Sequence, residues 1–179
     1  YQDEGLADTA IAYYGRAIAA FKSNGDAPTR WLVSLNNMIR CHMEQGNLKE
    51  AGALVQQGLS AMDEEHQPWH ASLIHAADAD LRLAQGDASG ALISAQKAAS
   101  IADLRSLVPA LVALSDAQLA MNDTRNALLN AERAQALCDS TDVALSLQRD
   151  VAHTLSEIWA RTGPPEKALL HLQRYTALE

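Results

Sequence analysis

The stretch Gly46-NLKE-Ala51, continued by GALVQQGLSAM to residue 62, decides the fold. It sets a turn residue five positions before an alanine and then runs on with no helix breaker. Four other segments match it: Gly5-LADT-Ala10, Gly86-DASG-Ala91, Asn122-DTRN-Ala127 and Gly163-PPEK-Ala168. A second matching position falls nine after the turn, at Tyr14, Val55, Ala95, Ala131 and Leu172. A third falls twelve after it, at Ala17, Gly58, Ala98, Ala134 and Tyr175. These offsets are separated by four and three residues, so they share one face of a helix. Small side chains on that face let a second helix approach closely. The turn position suits a left-handed backbone, where glycine and asparagine cost least, so Asn122 fits the rule. The turns are spaced 41, 40, 36 and 41 residues apart, and self-similarity at such periods marks a stacked repeat architecture.

A helix also precedes each of the later turns. The four stretches are Trp31-LVSLNNMIRCHMEQ, Trp69-HASLIHAADADLRLAQ, Leu107-VPALVALSDAQLAM and Val143-ALSLQRDVAHTLSEIWART. All carry apolar residues at three- and four-residue steps. Linkers fall at Ser23-NGDAP, Glu64-EHQP, Ala102-DLRS and Cys138-DSTD. Pro28, Pro68 and Pro109 suit first-turn positions. Ser106 and Asp142 suit N-caps. Nine helices result: an unpaired one over 6–23, then pairs over about 28–65, 67–103, 106–138 and 142–179, forming a single repeat domain. Below, the first helix of each pair is its A helix and the second its B helix.

Composition agrees. The 179 residues include 34 Ala and 25 Leu against 13 Val plus Ile, which favours helix over strand. The hydrophobic share of 48% suffices for a core, and 9 Gly and 5 Pro are too few for collagen or disorder. The net charge of −8 opposes binding to a phosphate backbone, so no nucleic-acid partner is expected. The longest apolar run, 107–114, falls short of the roughly 20 residues of a membrane span. No signal peptide is read at the start, and the expected setting is cytoplasmic. The opening Tyr1-Gln2-Asp3 lacks Met and reads as part of a longer chain. Cys41 and Cys138 read as free thiols, not as a disulfide scaffold.

The segments beginning at Gly5, Gly46 and Gly86 resemble the turn and B helix of tetratricopeptide repeats (TPRs). Leu155-SEIWARTGPPEKALLHLQRY resembles a complete turn region, with Leu155, Ser156 and Trp159 at A-helix positions. The resemblance spans the chain, with a period near 40 instead of about 34, as in long-helix variants of bacterial signalling and regulatory proteins. It implies an all-α, right-handed α-solenoid with one continuous core. Asp78-Ala79 departs from the Leu-Gly of the family pattern.

In the family the A helices line a concave groove. Counting 13, 10, 6 and 3 back from each turn gives Val33, Asn36, Arg40 and Met43. The next sets are Leu73, Ala76, Asp80 and Leu83, then Pro109, Val112, Asp116 and Leu119. The last is Asp150, His153, Glu157 and Ala160. Asn37 lies beside the first set. The binding candidates are therefore Asn36, Asn37, Arg40, Asp80, Asp116, Asp150, His153 and Glu157, with an ordinary solvated face as the alternative. Four carboxylates against Arg40 favour a basic partner, with Val33, Leu73, Val112 and Leu119 seating its apolar groups. The family's chaperone-binding members clamp a peptide carboxylate with Lys, Arg and Asn. Only Asn36, Asn37 and Arg40 could do so here, and Asp80 and Asp116 oppose it.

Chemistry-bearing motifs are few. His66 and His70 stand four apart, but Pro68 lies between them and no third ligand has motif spacing, so a solvated linker is the simpler reading and no metal is expected. No phosphate loop, GxSxG or HExxH occurs, and no cofactor is expected. Trp31, Trp69 and Trp159 read as packing residues, with ligand stacking as the alternative. The sequence reading is a non-catalytic scaffold that binds a protein or peptide. Family analogy makes it a regulatory segment of a bacterial signalling protein, upstream of a diguanylate cyclase or kinase. The alternative is the effector-sensing domain of a transcription regulator. Apolar residues left on the first and last helices imply that at least one end is covered, either by another chain, as in self-association through the solenoid ends, or by a further segment of a longer protein.

Overall fold

A computed structural model describes residues 2–141 and 143–178, with side chains from Leu6 onward. Asp142, expected as a cap, lies outside the described residues. Nine helices follow one another, with no strand among the described residues: α1 (Gln2–Ser23), α2 (Thr29–Glu44), α3 (Leu48–Ala61), α4 (Pro68–Ala84), α5 (Ala88–Ile101), α6 (Leu107–Ala120), α7 (Thr124–Ser140), α8 (Leu145–Thr162) and α9 (Pro165–Ala177). Each helix packs on its chain neighbours. The A helices also pack side by side, α2 on α4, α4 on α6 and α6 on α8. No described helix is long and apolar enough to cross a membrane.

The first three A-to-B turns have a common construction. Gly46, Gly86 and Asn122 take φ of 73°, 81° and 61°, the left-handed region. The amide of the residue after each reaches back to the A helix: Asn47 to His42, Asp87 to Arg82 and Asp123 to Gln118, all at 2.8 Å. These bonds satisfy carbonyls that a helix end would otherwise leave open. Asp87 and Asp123 then cap the next helix by accepting from the amides of Gly90 and Asn126.

Five expectations are corrected here. Gly163 is extended, at φ −133° and ψ −173°. Pro164 follows it and disfavours a helical or turned backbone at the preceding residue; a Cβ at 163 would also fall into the Trp159 ring. Gly5 lies within α1, so no turn opens the chain. Pro28 sits one residue before α2, whereas Pro68 opens α4 and Pro109 falls in the first turn of α6 as expected. Ser106 occupies the N-cap of α6 but makes no capping bond; its hydroxyl bonds back to Asp103. Finally, the core is three clusters in series. A solenoid buries each repeat only against its neighbours, so no single centre forms.

The first cluster joins α1 to α4 through Ile18, Trp31, Leu32, Leu35, Ile39, Val55 and Ile74. The last joins α6 to α8 through Leu111, Val151, Leu155 and Ile158. Between them the buried members are alanines alone: Ala76, Ala79, Ala91, Ala95, Ala98, Ala110, Ala113 and Ala117. Ser72 crosses this seam by donating to the carbonyl of Ala98 at 3.1 Å, and Ser115 joins α6 to α7 by donating to that of Ala127 at 2.7 Å. Asp78, where the family pattern would have Leu, is buried and held by Arg82 Nε at 2.8 Å and by the Ser94 hydroxyl.

The small-residue face behaves as expected in the middle of the solenoid and not at its ends. Ala51, Ala91 and Ala127 are fully buried, as are the positions nine after the turn in the same repeats. Ala168 is only half-buried and Leu172 is exposed. No helix follows α9 in the structure to cover them, and α9 has no buried residue among those described. Leu6 and Tyr13 are likewise exposed on α1, while Ile18 packs inward on α2.

Candidate functional site

Side-by-side packing of α2, α4, α6 and α8 turns their offset-13, -10 and -6 positions toward a common groove. Its floor holds two adjoining cavities. One, of about 280 Å³, includes Val33, Asn36, Asn37, Leu73 and Trp69 in its walls. The other, of about 310 Å³, includes Met43, Glu44, Asp116, Arg149, His153 and Tyr175. Arg40, Asp80, Val112 and Asp150 line both.

Seven of the eight binding candidates line these cavities: Asn36, Asn37, Arg40, Asp80, Asp116, Asp150 and His153. Glu157 stands at the margin, its Oε1 3.9 Å from His153 Nε2. The count fails at offset 3. Leu119 belongs to the buried α6–α8 core and Leu83 packs on the alanine cluster, so neither seats a ligand. Met43 at the same offset does line the groove, and Ala160 is exposed without lining either cavity.

The electrostatics are richer than four carboxylates against one arginine. Asp150 receives two guanidinium groups, Arg40 Nη2 at 3.5 Å and Arg149 Nη2 at 3.5 Å. Among the described residues, Asp80 and Asp116 have no ion-pair partner. Burial pushes the Asp80 carboxyl up to about 7, with Asp150 adding to the rise and Arg40 opposing it. Burial pushes Asp116 up to about 7 as well; Asp80, Glu157 and Asp150 add to the rise, and a hydrogen bond with Thr154 opposes it. Near neutrality these two carboxyls are partly protonated, so the groove becomes more negative as pH rises.

Arg105, Arg149 and Tyr175 escaped the repeat count. Arg149 is one position off the counted face and Arg105 lies in a linker. Tyr175 comes from a B helix, α9, which folds back over the groove's end and sets its ring 5.2 Å from that of His153. Only the abundance of Arg near Asp in sequence could have hinted at the first two.

The tryptophans divide. Trp31 is a core residue, 6% exposed. Trp69 is half-buried at the groove's rim with the Arg105 guanidinium 4.6 Å over its ring. Trp159 is half-buried under Lys167 at 4.0 Å. The packing reading therefore holds in full for Trp31 alone. Cys41 and Cys138 are unpaired, and burial pushes both thiols up. His66 bonds Asp63 at 2.9 Å while His70 stacks beside Trp69, so the two do not face one ligand. No group of three His, Cys, Asp or Glu among the described residues is placed to hold a metal.

No protein-family model matches the chain, and no curated protein matches it. A solved structure does: that of a Podosopora anserina protein described as a kinesin light chain with nearly identical TPR-like repeats. The two are 18% identical, with a TM-score of 0.57 over 99% of this chain and 89% of the other. With paired helices, left-handed A-to-B turns and a groove lined by A helices, the chain is a TPR-like α-solenoid.

Proposed function

We propose that the chain is a non-catalytic scaffold whose A-helix groove binds a protein or peptide segment, basic and amphipathic in character. The observation that carries this reading is the convergence of seven candidate residues from four helices on one groove. Apolar Val33, Leu73 and Val112 alternate there with Asn36, Asn37, Asp80 and Asp150. A groove open along its length suits an extended or helical segment better than a reaction that must exclude water. The proposed setting is cytoplasmic, in a regulatory segment of a larger bacterial signalling protein.

A second reading, an effector-sensing domain, draws on the cavity under Tyr175. Its volume of about 310 Å³ falls at the lower end of small-molecule sites. Peptides selected from a random library on this chain separate the two. Selected binders should be basic and amphipathic, and Leu73→Arg should weaken them about tenfold or more, as expected for loss of a central groove contact. Ile93→Arg, at an exposed site 67% accessible on α5, should not. High salt should also weaken them. Binding indifferent to both Leu73→Arg and salt would remove the groove as the site.

We also propose that the uncovered ends are contact surfaces, through which copies of the chain can associate. Leu169, Leu170 and Leu172 stand exposed together on α9. Light scattering should detect association that Leu170→Lys reduces; a strict monomer at all concentrations would overturn this.

A further inference from the structure

We propose that the cavity beneath Tyr175 is a seat for one alkylammonium group, with Asp80 and Asp116 as the carboxylates that receive it. This deepens the groove-binding reading above and rests on it. The structure supplies both the space and an unmet need. Among the described residues Asp80 has no hydrogen-bond or ion-pair partner, although it lines both cavities and protein displaces much of its water. An ionised carboxyl so placed is costly unless a donor reaches it. Asp116 has only the Thr154 bond, and its neighbours are mainly anionic.

The surrounding charges direct a cation to these two groups. From α2 come Arg40 and Glu44; from α8 come Arg149, Asp150, His153 and Glu157; from α9 comes Tyr175. Both arginines are bonded to Asp150, which leaves Asp80 and Asp116 as the open acceptors. Met43, Val112 and the Tyr175 ring line the same cavity and suit an alkyl stem. An ammonium head brings three donors on a compact charge, enough for two carboxylates. The raised carboxyl pKa values add a consequence: the seat must lose protons to bind a cation, so affinity rises with pH.

A lysine side chain of a peptide and a free amine present the same chemistry. The test therefore titrates the 179-residue chain with N-acetyl-lysine methylamide and, separately, with n-pentylamine, following protein amide shifts by NMR. Pentan-1-ol serves as the uncharged control. Both amines stay protonated between pH 6 and 8. Each probe that binds should do so about 10–100-fold more weakly at pH 6 than at pH 8, according to whether one or both carboxyls must ionise. Asp80→Asn with Asp116→Asn should abolish binding and its pH dependence.

Binding by the lysine probe alone would identify a peptide source, and binding by pentylamine a small amine; either supports the seat. Equal binding of pentan-1-ol, a flat pH profile, or full binding by the double variant would overturn it. A library-selected peptide that loses affinity with Leu73→Arg but not with the double variant would leave the groove reading standing and remove the ammonium seat.

Discussion

Replacing Ala91 by Leu should destabilise the chain by about 1–3 kcal/mol, toward the upper end of the cost of overpacking a core. Ala91 is fully buried, and the buried cluster around it consists of alanines. The buried members have no side chain that can rotate aside, and only Leu83, Leu92 and Leu114 at the margin of the cluster can adjust. Three added carbons must therefore push α5 away from α4 or α6, along a seam where Ser72 donates to the carbonyl of Ala98. Ala168 occupies the equivalent position in the last repeat but is half-buried. Ala168→Leu should change stability by no more than about 0.5 kcal/mol, the usual range for a surface substitution. Urea denaturation of the two variants checks this, and equal midpoints would mean that the alanine seam is not the close crossing described.

Asp80→Asn together with Asp116→Asn should stabilise the fold at pH 8 and flatten its pH dependence. Both carboxyls sit at about 7 in the folded chain, against about 3.9 when unfolded. Between those values the folded state binds more protons than the unfolded one. Stability therefore falls as pH rises from about 4 to about 7, and the deficit is complete above the folded pKa. Three pKa units set a ceiling of about 4 kcal/mol for each group. Water in the open groove brings the expected gain to about 1–2 kcal/mol for each substitution at pH 8. Below pH 4 the direction reverses. Asp63, Asp87 and Asp103 are held below the usual carboxylate range by hydrogen bonds, so stability they contribute is lost as they protonate. Melting temperature against pH should thus rise from pH 8 to about pH 4 and then decline, with the double variant lacking the first limb. A melting temperature that is flat between pH 5 and 8 in the parent chain would contradict the placement of these carboxyls.

Helix pairing was legible in the sequence because it is set locally. A glycine or asparagine that tolerates positive φ, an alanine at offset five and matching positions at offsets nine and twelve define a turn and a face without reference to distant residues. The groove was legible to the same depth: offsets 13, 10 and 6 follow from the 3.6-residue period once the A helices stack in parallel. Tertiary structure decided the rest. Gly163 left the repeat conformation because of Pro164 and Trp159, and Leu119 at offset 3 was taken into the core formed with α7 and α8. The charge state of the groove was beyond sequence altogether. Asp80, Asp116 and Asp150 are the same residue type at two counted offsets. Yet Asp150 gained Arg40 and Arg149 as ion-pair partners, while Asp80 gained mainly desolvation. Ionisation depends on partners and water within a few ångströms, and those come from four helices spread over more than a hundred residues.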